Sequence, residues 1–157
     1  MAFRSRSYKV GRFGNIVTTG QVLKPNQPAF RVRGSGSHPL SATAVIPWTV
    51  EDYDIGSNFD LANNRFVAPV DGVYYFSHLN LAGANGNFEN DVGLYINGTY
   101  ENGTRSREDT GSSYWNTYNI TAVLELSAND YVDLRVITNQ VYHNSVTWTA
   151  FQGYLVG

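Results

Sequence analysis

No cysteine occurs in the 157 residues, which excludes a disulfide framework, a thiol nucleophile and any zinc site built on thiolates. Packing alone must hold the core. No run is long enough to cross a bilayer. The opening "MAFRSRSYKVGRFGN" is basic but lacks the apolar stretch of about 7–15 residues that marks a secretion signal. A soluble protein without signal-directed export is therefore expected. No stretch sustains a 3.6-residue period, and neither heptads nor a collagenous Gly-X-Y repeat are present, so helices and a stiff fibrous shaft are not expected. What remains is 42% hydrophobic and 14% aromatic, in a length that suits one ordinary domain with a sizeable core.

The formal net charge of −2 hides an asymmetry. Residues 1–33 hold seven Lys and Arg, among them Arg4, Arg6 and Arg12, and no acid, so the remainder carries −9. This predicts a basic arm, residues 1–26, joined to an acidic body, residues 27–157. The arm also contains Phe13, Ile16, Val22 and Leu23, and purely solvating tails rarely hold such residues. It is expected to anchor the body on an acidic protein surface, with neither nucleic acid nor a membrane as partner.

From residue 27 the chain alternates in short runs. Phe30 and Val32 oppose Arg31 and Arg33; Val92, Leu94 and Ile96 share a parity; Val132, Leu134 and Val136 oppose Asp133 and Arg135. Asp71-Gly72, Asn85-Gly86, Asn97-Gly98 and Asn102-Gly103 punctuate these runs as tight hairpin turns. The body is expected to be an all-β antiparallel sandwich or jelly roll. Phe66, Tyr74, Leu134 and Phe151 are expected between its sheets.

Three strands are apolar on both faces, one of them "WNTYNITAVLEL", where Tyr118, Ile120, Ala122, Leu124 and Leu126 oppose Trp115 and Val123. In "VDGVYYFSHLNLAG", Val73, Tyr75, Leu79 and Leu81 oppose Tyr74 and Phe76; in "SVTWTAFQGYLVG", Phe151 and Leu155 oppose Trp148, Tyr154 and Val156. One face packs on the opposite sheet, so the other needs a partner, and identical subunits in closed symmetry are the usual solution. Tyr74, Phe76, Trp148 and Tyr154 are the expected interface anchors.

The segment "YDIGSNFDLANNRFVAPVDGVYYFS", with Asn58, Phe59, Phe66, Pro69, Gly72, Tyr74 and Phe76, resembles the signature of the C1q/tumour-necrosis-factor-like superfamily. "LELSANDYVDLRV" and the terminal "FQGYLVG" are similar to its closing strands. The resemblance covers residues 27–157 and implies a ten-stranded jelly roll forming a compact homotrimer. It also implies a calcium position that falls on Asp130 in "ANDY", where the alternative is a turn-forming Asn129-Asp130 pair. No other cofactor is suggested.

His38, His78 and His143 are scattered, with no HExxH and no nucleophile elbow, so an enzyme is not expected. The entry "KPNQPAFRVRG" into a domain of this type resembles bacteriophage virion proteins. The expected function is a trimeric capsid decoration or cement knob on the virion surface, held through its arm to proteins such as the major capsid protein. An arm of 26 residues spans at most about 90 Å, enough to grip neighbours but not to project a knob far from the particle. The alternative is a receptor-binding knob of a tail or head fibre. Its polar segment 97–116, with Tyr100, Tyr114 and Trp115, would hold a host-surface glycan or protein.

Overall fold

The computed structural model of the chain describes residues 26–34, 36–82, 88–110, 116–138 and 140–157. Every regular element among them is a strand: β1 (Ala29–Arg33), β2 (Gly36–Leu40), β3 (Val50–Ile55), β4 (Phe59–Asp60), β5 (Arg65–Val67), β6 (Gly72–Ala82), β7 (Phe88–Ile96), β8 (Thr99–Tyr100), β9 (Ser106–Thr110), β10 (Asn116–Leu126), β11 (Tyr131–Val136), β12 (Gln140–Asn144) and β13 (Ala150–Leu155). These exceed the ten expected strands because β4 and β8 are two-residue additions and β2 pairs with β12 as a separate ribbon.

The first sheet has the order β10-β6-β13-β1-β3 and the second β4-β5-β11-β7-β8, with β9 also on β7; all pairings are antiparallel. The last strand thus lies between the first and the sixth, the long-range closure of a jelly roll. Side-chain parity decides which residues fill the gap between sheets. Phe30 and Val32 of β1, Phe66 of β5, Val132, Leu134 and Val136 of β11, and Phe151 of β13 are fully buried. The four phenylalanines Phe30, Phe66, Phe76 and Phe151 form the centre, with ring centroids 5.0 to 6.3 Å apart. Burying side chains of this size stabilises the fold by roughly 1.5–3 kcal/mol each.

Turn chemistry closes the hairpins. Asn97 and Gly98 have φ of 51° and 81°, the left-handed pair of a two-residue connection from β7 to β8. Asp71-Gly72 differs from expectation. Gly72 is not among the positive-φ residues and instead opens β6, where a Cβ would lie 2.7 Å from Leu155 Cδ1. A side chain there would have to displace the end of Leu155, so close packing rather than backbone hand favours glycine.

Both ends of the described chain meet at one end of the sandwich. Leu155 N donates to Pro28 O at 3.0 Å, and Val73 N donates to Gly157 O at 2.9 Å. We call this end basal. Asn116 pairs with Ala82 at the opposite, distal end.

Candidate functional site

Register across the first sheet places Val123, Tyr75, Tyr154, Ala29 and Ile55 in one transverse row, one residue from each of five strands. All belong to the parity that points away from the core. Val123 is 64% exposed, Tyr154 46% and Ile55 41%. The Tyr75 and Tyr154 rings lie 5.2 Å apart. A parallel row carries Thr121, Ser77, Gln152, Arg31 and Tyr53, and beyond it Leu79 pairs with Ala150. The result is an apolar belt crossing an otherwise flat sheet face.

Charges on this face are satisfied at its margin. Arg33 grips Asp52 through two bonds of 2.8 and 2.9 Å to Nε and also donates Nη1 to Val146 O, while Arg31 Nε lies 3.3 Å from the same carboxylate. The five residues of the row itself carry no charge, while Glu125, two residues beyond Val123 on the same face of β10, stands exposed at its edge. The outer face of the second sheet is different. Arg105 forks onto the buried Asp91, and Arg135 donates two bonds to Asp133 while stacking 4.8 Å from the Tyr95 ring centroid. Arg65 lies over Tyr131 at 4.6 Å. The bond from Asp133 holds the Arg135 guanidinium above its usual pKa. Paired ions and stacked cations cover that face, with no comparable apolar belt among the described residues.

The anchors expected from the sequence divide accordingly. Tyr74 and Phe76 are not on the surface: both are fully buried, and Tyr74 Oη donates to Val70 O at 2.8 Å. Desolvation raises the Tyr74 pKa. Their parity is the inward one, and Tyr75 and Leu79 take the outward positions that had been assigned to them. Tyr154 and Trp148 are exposed. Trp148 sits in the turn before β13, toward the distal end, well away from Tyr154.

The long polar segment is not a single loop. β8 and β9 both lie within it and pair with β7. Tyr100 is half-buried, its ring 5.6 Å from Tyr95 and over Gly93, where a Cβ would come within 2.6 Å of it. It is a packing residue of the β7–β8 hairpin. Tyr114 and Trp115 lie outside the described residues, as do Arg4, Arg6, Arg12, Phe13, Ile16, Val22 and Leu23 of the arm.

Asp130 is a turn staple. Oδ1 accepts from Asn97 Nδ2 and Oδ2 from Ser127 N, both at 2.7 Å, and Asn97 Oδ1 in turn accepts from Tyr131 N at 3.0 Å. These bonds, the one from Asn97 foremost, hold its carboxyl below the usual range. Both oxygens are committed to the fold, and no group of three metal-ligating side chains occurs among the described residues. The arrangement does not fit calcium at Asp130.

The sequence did not mark Tyr53 and Ile55 as belt residues. Both stand in β3 beside Asp52, Asp54 and Gly56, so no single segment marks them; only cross-strand register brings them into line with Tyr75 and Tyr154.

A C1q domain family model matches residues 29–156. The mouse protein "Complement C1q tumor necrosis factor-related protein 3" is 32% identical over 127 residues, covering 76% of this chain and 48% of its own length. The chain thus spans about half of that relative. Among solved structures, the globular domain of zebrafish complement 1qA superposes with a TM-score of 0.63 at 17% identity, covering 83% of this chain and 98% of that one. Murine APRIL gives 0.61 at 11% identity, covering 83% and 99%. Families with this domain are in general binding or structural rather than enzymatic. With its two-sheet jelly roll and a matched span from β1 to the end of β13, this chain belongs to the C1q domain family.

Proposed function

We propose that the chain is a non-enzymatic, homotrimeric knob that decorates or cements the surface of a virus particle and is held there by residues 1–26. The observation that carries the trimer is the apolar belt Val123–Tyr75–Tyr154–Ala29–Ile55, uncharged and exposed on one sheet only. A face of this kind is stable in water when a second copy covers it. Three copies are what the family resemblance implies. Support for the virion surface is the resemblance of "KPNQPAFRVRG", the absence of cysteine, and a segment of +7 over residues 1–33 against −9 over residues 34–157. Like-charged bodies repel, so the basic segment favours acidic ground on another protein such as a major capsid protein.

Light scattering on the intact chain tests the first half, with a mass of three chains expected and a stable monomer at micromolar concentration overturning it. Co-sedimentation with depleted particles tests the second. Deleting residues 2–24 leaves a folded trimer that no longer joins the particle, and full retention would move the anchor onto the jelly roll.

A receptor-binding role is favoured by a separate observation. Both ends of the described chain meet at the basal end, and β10 starts at the opposite, distal end, which could then face outward. Mass spectrometry of purified particles separates the readings: cement is stoichiometric with the major capsid protein, whereas a fibre knob is present in few copies.

A further inference from the structure

At the basal end, beside the meeting point of the termini, a groove of about 510 Å³ opens between three segments of the chain. Pro69 and Val70 form one wall, Gly56 and Asn58 another, and Pro28 with Leu155 the floor where β1 and β13 begin and end. None of the residues lining it is charged. Val70 is 47% exposed. A space of this size and character lies within the range of roughly 300–1,000 Å³ in which small apolar ligands and side chains are held.

We propose that this groove is the seat of the chain's own residues 16–23, with the Val22-Leu23 pair entering it. Continuity makes the first argument. Asn26 and Gln27, the first residues described, themselves line the groove, and the Gln27 side-chain amide donates to Leu155 O, pinning the chain at the rim. Two residues, Lys24 and Pro25, separate Leu23 from Asn26, so Leu23 lies within about 10 Å of that rim however the chain runs. A free ligand would have to compete with a segment tethered at high effective concentration. Chemistry makes the second argument. The groove offers apolar surface and no carboxylate, so it suits the aliphatic part of the N-terminal segment, Ile16, Val17, Val22 and Leu23, and leaves its Arg and Lys in water. The basic part then remains available for another surface. This assignment does not depend on subunit number or on a particle.

The cysteine-free chain makes the test clean. In the full-length protein, Leu23→Cys with Val70→Cys is oxidised gently and run on a non-reducing gel. A disulfide needs Cα atoms within about 7 Å, and since the tether alone keeps Leu23 near the rim, seating is read as closure at least tenfold faster than in the same cysteine pair carrying Val22→Asp, with equal rates overturning the proposal. The expected result is an intrachain bond in most molecules, seen as a faster-migrating single chain that reverts on reduction. A control pairing Leu23→Cys with Val123→Cys, on the far edge strand, should not close. Amide exchange of residues 16–24 in the unmodified protein should be at least tenfold slower than in the Val22→Asp/Leu23→Asp variant. No bond, a bond formed equally by the control, or covalent dimers and trimers that place the segment on a neighbouring copy would each overturn the proposal. Equal exchange in the two proteins would do the same.

Discussion

Tyr75 and Tyr154 face each other across antiparallel strands with ring centroids 5.2 Å apart, both on the sheet surface turned away from the core. Cross-strand aromatic pairs stabilise a sheet by about 0.2–1 kcal/mol, which does not account for leaving Tyr154 46% exposed to water. Covering by a second copy, as proposed above, would. Tyr154→Ala is expected to weaken self-association by about 2–4 kcal/mol while leaving the fold intact. Sedimentation equilibrium checks it, and an unchanged association constant places the interface elsewhere.

Phe151 is fully buried and packs against the rings of Phe30, Trp48, Phe59 and Phe76. Phe151→Ala should cost about 3–5 kcal/mol, because four-sided aromatic packing cannot collapse onto a missing ring. Urea unfolding measures it. A loss below 1 kcal/mol contradicts the core described above.

Gly153 stands where no side chain fits. A Cβ would approach Phe76 Cδ1 and Tyr75 O at 2.8 Å and Phe30 Cε1 at 2.9 Å. One of the three is backbone, so rotamer changes cannot relieve the contact. Gly153→Ala is expected to destabilise by roughly 1–3 kcal/mol, read from the same denaturation curves.

His78 is buried between Trp48 and the Ala150 carbonyl, to which Nδ1 donates at 3.0 Å. Burial lowers its pKa from 6.5 to about 4, opposed in part by that hydrogen bond. The unfolded chain therefore binds a proton that the folded chain does not between these values. Stability falls as pH drops from 6.5 to about 4, by about 3 kcal/mol, and the contribution is constant above that window. Asp60 and Asp130, whose carboxyls lie below 3.8, add losses only in more acid solution. His78→Leu should flatten the slope between pH 6.5 and 4 whatever its absolute stability. A slope equal to the parent's contradicts the assignment.

The strand pattern was readable because Phe30, Val32, Leu134 and Val136 alternate with charged residues, and a period of two needs no tertiary information. β6 was not readable in the same way. Its two faces carry Tyr74, Phe76, His78 and Asn80 against Val73, Tyr75, Ser77 and Leu79, so hydropathy alone does not choose the inward one. The choice is made by β13, where Gly153 vacates the space that Phe76 and Phe30 fill. That relationship is between residues 77 positions apart and has no local trace. Asp130 was ambiguous for another reason: a carboxylate in an Asn-Asp turn suits a cation or a turn equally, and the deciding partner, Asn97, comes from a distant hairpin.

β1 is an interior strand, with five residue pairs to β13 on one side and five to β3 on the other. Tension applied from the N-terminal side runs along its axis, at right angles to the hydrogen bonds of both ladders. Such a load must slide the strand past two neighbours at once, whereas an edge strand peels open one pair at a time. A knob built this way is mechanically strongest along the line by which an N-terminal tether would pull it, so hydrodynamic drag on a particle would stress the tether before it unravelled the domain.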